Sequence, residues 1–133
     1  MSDYVTDTHS LIWYLEDSPR LGREARRCFE ACDRGESIIF VPTICLVEII
    51  YLQEKGRIPA EMKRLLDKEL TSGSVSIFLS DLTGKVVEML SRVPRSDVPD
   101  MPDRIIAATA LHLRLPLISR DRKIRVSTVH TIW

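Results

Sequence analysis

The stretch SIIFVPTICLVEIIYL, Ser37 to Leu52, changes character half-way along. Ser37-Ile38-Ile39-Phe40-Val41 is a continuous β-branched and aromatic run, the pattern of a strand buried on both faces. Pro42 closes that strand, and Thr43 is placed to cap a helix reaching Leu52 or Lys55. From Ile44 to Leu52 the helix carries one charge, Glu48, so it reads as largely buried. A carboxylate in such surroundings is costly unless it meets a cation or strong donors, and no Lys or Arg lies nearby in the helix. Glu48 therefore sits at a solvent edge, pairs with a remote Arg, or faces a metal.

The same alternation repeats outward from this unit. Tyr4 to Thr6 reads as a short strand, followed by helices over about His9 to Glu16 and Gly22 to Arg34. After the central unit, Glu61 to Leu70 carries Met62, Leu65, Leu66 and Leu70 at helical spacing, a half-exposed stripe. Val75 to Leu79 is a third strand, Asp81 is placed to cap a helix bearing Val86, Val87, Met89 and Leu90, and Pro102 to Arg114 forms another helix. Leu117 to Ser119 and Thr128 to Trp133 supply the last strands. Strands alternating with helices predict a single α/β domain over residues 1–133, with a mainly parallel sheet and right-handed crossovers.

Composition narrows the setting. Of 133 residues, 44% are hydrophobic and 29% charged, and no apolar run approaches membrane-spanning length. The N-terminus lacks a basic region followed by a long apolar segment, so a cytoplasmic protein is expected. Nineteen basic and nineteen acidic residues cancel, so any polyanion must be held by a local patch. Cys28, Cys32 and Cys45 contain no Cys-x-x-Cys pair, and His9, His112 and His130 are scattered. The cysteines read as packing thiols and not as a zinc site.

In open α/β sheets ligands bind beyond the carboxyl ends of the strands, where four acids fall: Asp7 after the first strand, Glu48 after the second, Asp103 at a helix start, and Asp121 after Ser119-Arg120. Each has a structural reading. Asp7 is placed to cap the first helix, Asp121 to pair with Arg122 or cap a turn, and Asp103 to occupy N3 of a helix capped by Asp100 with Pro102 in its first turn. Together, carboxylates without His or Cys partners suit a hard cation, Mg or Mn, and hence phosphoester chemistry. Arg104, Arg120, Arg122, Lys123 and Arg125 offer a local basic rim for a nucleic-acid backbone, although the last three equally fit a solvated face. Asp7-Thr8-His9 lacks the second Asp of haloacid-dehalogenase phosphatases, and neither a P-loop nor a G-x-S-x-G signature is present.

Val5-Thr6-Asp7-Thr8-His9 with Leu11-Ile12-Trp13, Glu48 in its apolar helix, Asp100-Met101-Pro102-Asp103-Arg104-Ile105-Ile106-Ala107-Ala108, Ile118-Ser119-Arg120-Asp121, and Val129-His130-Thr131-Ile132-Trp133 occur in that order. The chain thereby resembles, over nearly its full length, the PIN-domain ribonucleases, and most closely the VapC-type toxins of toxin–antitoxin pairs. The resemblance implies a three-layer α/β/α domain with a central, mainly parallel sheet of four to five strands. It implies that Asp7, Glu48, Asp103 and Asp121 are the catalytic and metal-binding quartet for Mg or Mn. Asp100 and Ser119 would be accessory. Apart from the resemblance, Thr8, Arg104, Arg120 and Arg122 are expected to contact substrate. The resemblance further implies an RNA substrate, a cognate antitoxin and a homodimer. Two departures stand out: family members often read Asp-Pro-Phe-Asp-Arg where this chain has Asp-Met-Pro-Asp-Arg, and a His common shortly upstream is absent. Neither removes a quartet acid. A silent PIN-like binding module and a nuclease acting on DNA are the alternatives.

Overall fold

The computed structural model describes residues 2–72, 76–125 and 129–133. Val75 of the third expected strand, Thr128 of the last and the Arg125 side chain of the basic rim lie outside the described residues. Five strands alternate with helices: β1 (Asp3–Thr6), α1 (Thr8–Leu15), α2 (Arg23–Asp33), β2 (Ile38–Pro42), α3 (Thr43–Glu54), α4 (Met62–Thr71), β3 (Ile77–Ser80), α5 (Gly84–Glu88), α6 (Met101–Leu113), β4 (Leu117–Ile118), α7 (Arg122–Arg125) and β5 (Thr131–Ile132). A 3₁₀ turn, Met89–Arg92, follows α5.

The strands form one sheet in the order β3-β2-β1-β4-β5, and its pairings are parallel throughout. β1 is central, with Val5 opposite both Phe40 of β2 and Leu117 of β4. The chain builds outward from β1 to β3, then crosses through α5 and α6 to return on the other side of β1 as β4. Successive strands thus diverge at the carboxyl end of β1, the point where an open parallel sheet leaves a crevice. Helices cover the sheet, and Val5, Ile39, Val41, Leu117 and Ile118 are buried with Leu11, Phe29, Ile49, Leu66 and Ile106. The result is the expected three-layer α/β/α arrangement.

Several local expectations change. Thr43 is the first residue of α3 and not its cap: Pro42 takes the cap position, and the Thr43 hydroxyl instead accepts from the Leu82 N–H at 3.3 Å. Thr83, not Asp81, caps α5 through the Val86 N–H. The helix expected through Leu90 tightens into the 3₁₀ turn, and α7 was not foreseen. The largest correction concerns α3, which is only half covered. Cys45 and Ile49 are buried, whereas Val47, Ile50 and Tyr51 are 46%, 42% and 59% exposed. An apolar sequence all round the helix conceals a second, open face. The stripe on α4 divides likewise: Met62 and Leu66 are core, and Leu65 is open to solvent.

Candidate active site

Asp7 leaves the end of β1 and caps α1, its Oδ1 accepting the Ser10 N–H at 2.9 Å. Its backbone N–H reaches the Ile118 carbonyl at 3.1 Å, and the Ser10 hydroxyl donates to the same carbonyl at 3.3 Å. The carboxylate is thereby fixed over the junction of β1 and β4. It is almost fully buried, and burial pushes its pKa up, against the Ser10 and Ser119 side chains, which favour the charged form.

Glu48 arrives on α3, whose first residue follows β2 directly. The Thr8 hydroxyl donates to its Oε1 at 2.5 Å, a short bond from a neutral donor. Burial raises the Glu48 pKa, the Thr8 bond opposes this, and Asp100 and Asp7 add repulsion. Among the described residues it belongs to no ion pair.

Asp100 and Asp103 start α6. The Asp103 N–H donates to Asp100 Oδ2 at 3.1 Å, the cap that the sequence shows, with Pro102 in the first turn. Burial first, then the charges of Asp100 and Asp121 and a hydrogen bond with Asp121, push the Asp103 carboxyl up to about 8. Asp121 follows β4. Its N–H donates to Ser119 Oγ at 3.0 Å, and its Oδ1 accepts the Lys123 N–H at 2.8 Å, opening α7. Ser119, fully buried, links the two ends of the site, since its side chain also engages Asp7.

One cleft of about 520 Å³ gathers these groups. Asp7, Glu48, Asp100, Asp103 and Asp121 line it together with His9, Ser10, Trp13, Arg20 and Arg120. None of the five acids belongs to an ion pair among the described residues. Such crowding of oxygen donors is the environment a hard cation relieves, and it is chemically suited to Mg or Mn. Among the described residues no three His, Cys, Asp or Glu side chains form a closed ligand cluster, so the acids line an open cleft.

Other sequence candidates find different employment. Thr8 orients Glu48. Arg104 donates from Nε to the Val93 carbonyl at 2.6 Å and from Nη2 to the Leu90 carbonyl at 2.8 Å, tying α6 to the 3₁₀ turn; it does not line the cleft. Arg122 is exposed at the start of α7 and also stands outside the lining, whereas Arg120 is in it. Sequence reasoning missed Arg20, His9 and Trp13. The last two lie at i and i+4 of α1, a spacing that puts them on one face next to Asp7. Arg20 sits in a loop, where periodicity carries no signal. The cysteines are buried, free thiols, as expected.

A PIN-domain model matches residues 4–127, nearly the whole chain. The chain belongs to the PIN-domain family. This PIN domain is 26% identical over 125 residues to Ribonuclease VapC22 of Mycobacterium tuberculosis, covering 94% of the chain and 92% of that protein. Among solved structures it is similar to VapBC2 from Rickettsia felis bound to a DNA fragment from their promoter. That match has a TM-score of 0.71 and 15% identity, over 98% of this chain and 97% of the other. A toxin–antitoxin complex from Klebsiella pneumoniae matches with a TM-score of 0.67 and 20% identity, over 98% and 96%. At these identities the structural likenesses establish the fold. Among the described residues no helix is long and apolar enough to cross a membrane.

Proposed function

We propose that this PIN domain is a metal-dependent endoribonuclease, the toxin of a toxin–antitoxin pair acting in the cytoplasm. The observation that carries the proposal is the convergence of Asp7, Glu48, Asp103 and Asp121, from four separate segments, on one cleft, with none of them in an ion pair among the described residues. The name and coverage of the mycobacterial relative support the same reading. These acids would hold Mg or Mn, which when bound supplies an activated water and neutralises charge on the scissile phosphate. Thr8 and Ser10 bond the Glu48 and Asp7 carboxylates, and Ser119 engages Asp7 and accepts the Asp121 backbone N–H. Asp103 sits at the start of α6, whose helix dipole favours a phosphate there. Asp100, capping that helix, adds negative charge beside Asp103.

The test is cleavage of total RNA, and of matched single-stranded DNA, with Mg or Mn by wild type, Asp7→Ala and Asp103→Ala. RNA cleavage that needs metal and vanishes in both folded variants is expected. Full activity in the variants overturns the assignment, preference for DNA moves the substrate, and an inert wild type favours a silent binding module.

Two surfaces support the partners. A groove of about 450 Å³ between α1, α2 and α4 has Tyr14, Leu15 and Leu65 in its lining, and acids there outnumber bases four to two. It suits an apolar antitoxin segment carrying Arg or Lys, and a small partner co-purifying through it is expected to be lost in Leu65→Glu. For a homodimer, the open face of α3 continues across Leu82, whose N–H joins Thr43, to Phe78 and Leu79 on the edge strand β3. Light scattering should show a dimer that Tyr51→Glu dissociates.

A further inference from the structure

Beside the acids, the lining of the cleft also carries positive and aromatic groups. Arg20 and Arg120 are exposed, line the cleft, and belong to no ion pair among the described residues. Their positions are not left to chance. The Arg120 guanidinium lies 4.7 Å above the Trp13 ring. Trp13 is in turn held edge-on by Trp133, with centroids 5.7 Å apart. Stacking of this kind restrains an Arg side chain while leaving its in-plane N–H donors for another acceptor.

Arg20 is presented by the loop between α1 and α2, and that loop is pinned from several directions. The Ser18 N–H donates to the Trp13 carbonyl at 2.8 Å, and the Arg20 N–H to Ser18 Oγ at 3.2 Å. Arg26 holds both the Ser18 carbonyl, at 2.8 Å, and Asp17, at 3.1 Å. His9 lines the same cleft, exposed at the start of α1, with its ring 5.7 Å from that of Trp13.

We propose that Arg20, His9 and Arg120 form the strand-binding wall of the cleft: the two guanidiniums take backbone phosphates of the bound strand, and the His9 ring stacks on a base. The assignment rests on the nuclease reading above. Its physical basis is that single-stranded RNA is held by phosphate charge and by base stacking on exposed rings, and the wall offers both beside the acids. Overall neutrality of the chain makes a local pair of arginines the means by which a polyanion is drawn to a cleft lined with carboxylates. Holding the phosphate backbone through these two guanidiniums offsets the repulsion that the acids exert on it.

The experiment is steady-state cleavage of a fluorescently labelled single-stranded RNA, with KM measured across a salt series, for wild type, R20Q, R120Q, R20K and R120K. Each Gln variant should raise KM about tenfold or more with a smaller change in kcat. Each should also flatten the salt dependence of log KM by about 0.7 per lost contact, while the Lys variants recover most of that dependence. His9→Ala should raise KM about tenfold, and His9→Phe should restore it. Unchanged KM and salt slope in both Gln variants, with wild type cutting normally, overturns the wall assignment alone. A wild type that neither binds nor cuts the RNA overturns the nuclease reading beneath it.

Discussion

The two walls of the cleft are held in place by different physics. The acidic wall is assembled by hydrogen bonds: Ser10 to Asp7, Thr8 to Glu48, Asp103 to Asp100, and Asp121 to Ser119. Its carboxylates repel one another, and burial raises the pKa of Asp7, Glu48 and Asp103. The basic and aromatic wall is assembled by packing, with Arg120 on Trp13, Trp13 on Trp133, and Trp133 against Gly22. One wall concentrates like charge, and the other is held by packed aromatic rings. Mutations in the two should therefore separate activity from folding.

The largest contrast is between Asp103→Asn and Trp13→Ala. Asp103→Asn removes an acid from a crowd, so metal-dependent cleavage should fall more than about a hundredfold, a loss at least as large as that of a ligand's supporting partner, while the metal-free protein melts no lower than wild type. Trp13→Ala empties a nearly buried indole site and should cost about 3–5 kcal/mol in denaturant unfolding. Equal stability losses in the two would erase the distinction between the walls.

Next in size is Thr8→Val, which keeps volume but removes the donor from Glu48. Activity should drop about 10–100-fold, as for other groups that orient a ligand, with unfolding changed little because the Glu48 carboxyl retains access to the cleft. Full activity in Thr8→Val would leave the short bond to Glu48 without a catalytic consequence. Gly22→Ala probes the other wall. Its Cβ would come within 2.7 Å of the Trp133 backbone carbon and indole, so something must shift, at a cost of about 1–3 kcal/mol. Because Trp133 props Trp13 beneath Arg120, the same change should loosen the Arg120 stack, visible as altered tryptophan fluorescence. Wild-type stability and an unchanged spectrum would show that Trp133 plays no part in the wall.

Most of the acidic wall is legible in the sequence because Asp7 and Asp121 follow strands and Asp100 and Asp103 open a helix, while Glu48 stands out as the one charge in an apolar stretch. Asp100 capping α6 and Asp7 capping α1 are local events between residues three apart, which a sequence displays. The packed wall was not legible. Trp133 reaches Gly22 across the whole length of the chain, and the Arg20 loop has no period to read. The apolar sequence of α3 departs from its expected burial for a related reason: periodicity shows which residues are apolar but not which face is covered, and Val47, Ile50 and Tyr51 stay about half exposed. Thr43 and Asp81 were plausible caps displaced by Pro42 and Thr83, a competition between adjacent candidates that only the backbone path resolves.

The mildest way to pull the walls apart is pH in the absence of metal. An aspartate in an unfolded chain titrates near 4, whereas Asp103 in the native protein is held up to about 8, by burial first and by Asp100 and Asp121 next. Between those values the native state keeps a proton that the unfolded state has released, so the slope of stability against pH is negative there. The contribution present in full below pH 4 is gone once pH passes 8, and Asp7 and Glu48, also raised, act with the same sign. Thermal melts in a chelator should therefore fall over the upper part of this window in wild type, and fall less in Asp103→Asn. Adding Mg at pH 8 should restore wild type more than the variant, because a cation binding only the native acids stabilises by mass action. Equal slopes in the two proteins would move the crowding away from Asp103, and a wild-type melt that rises with pH would mean that the acidic wall already has its counter-charge within the fold.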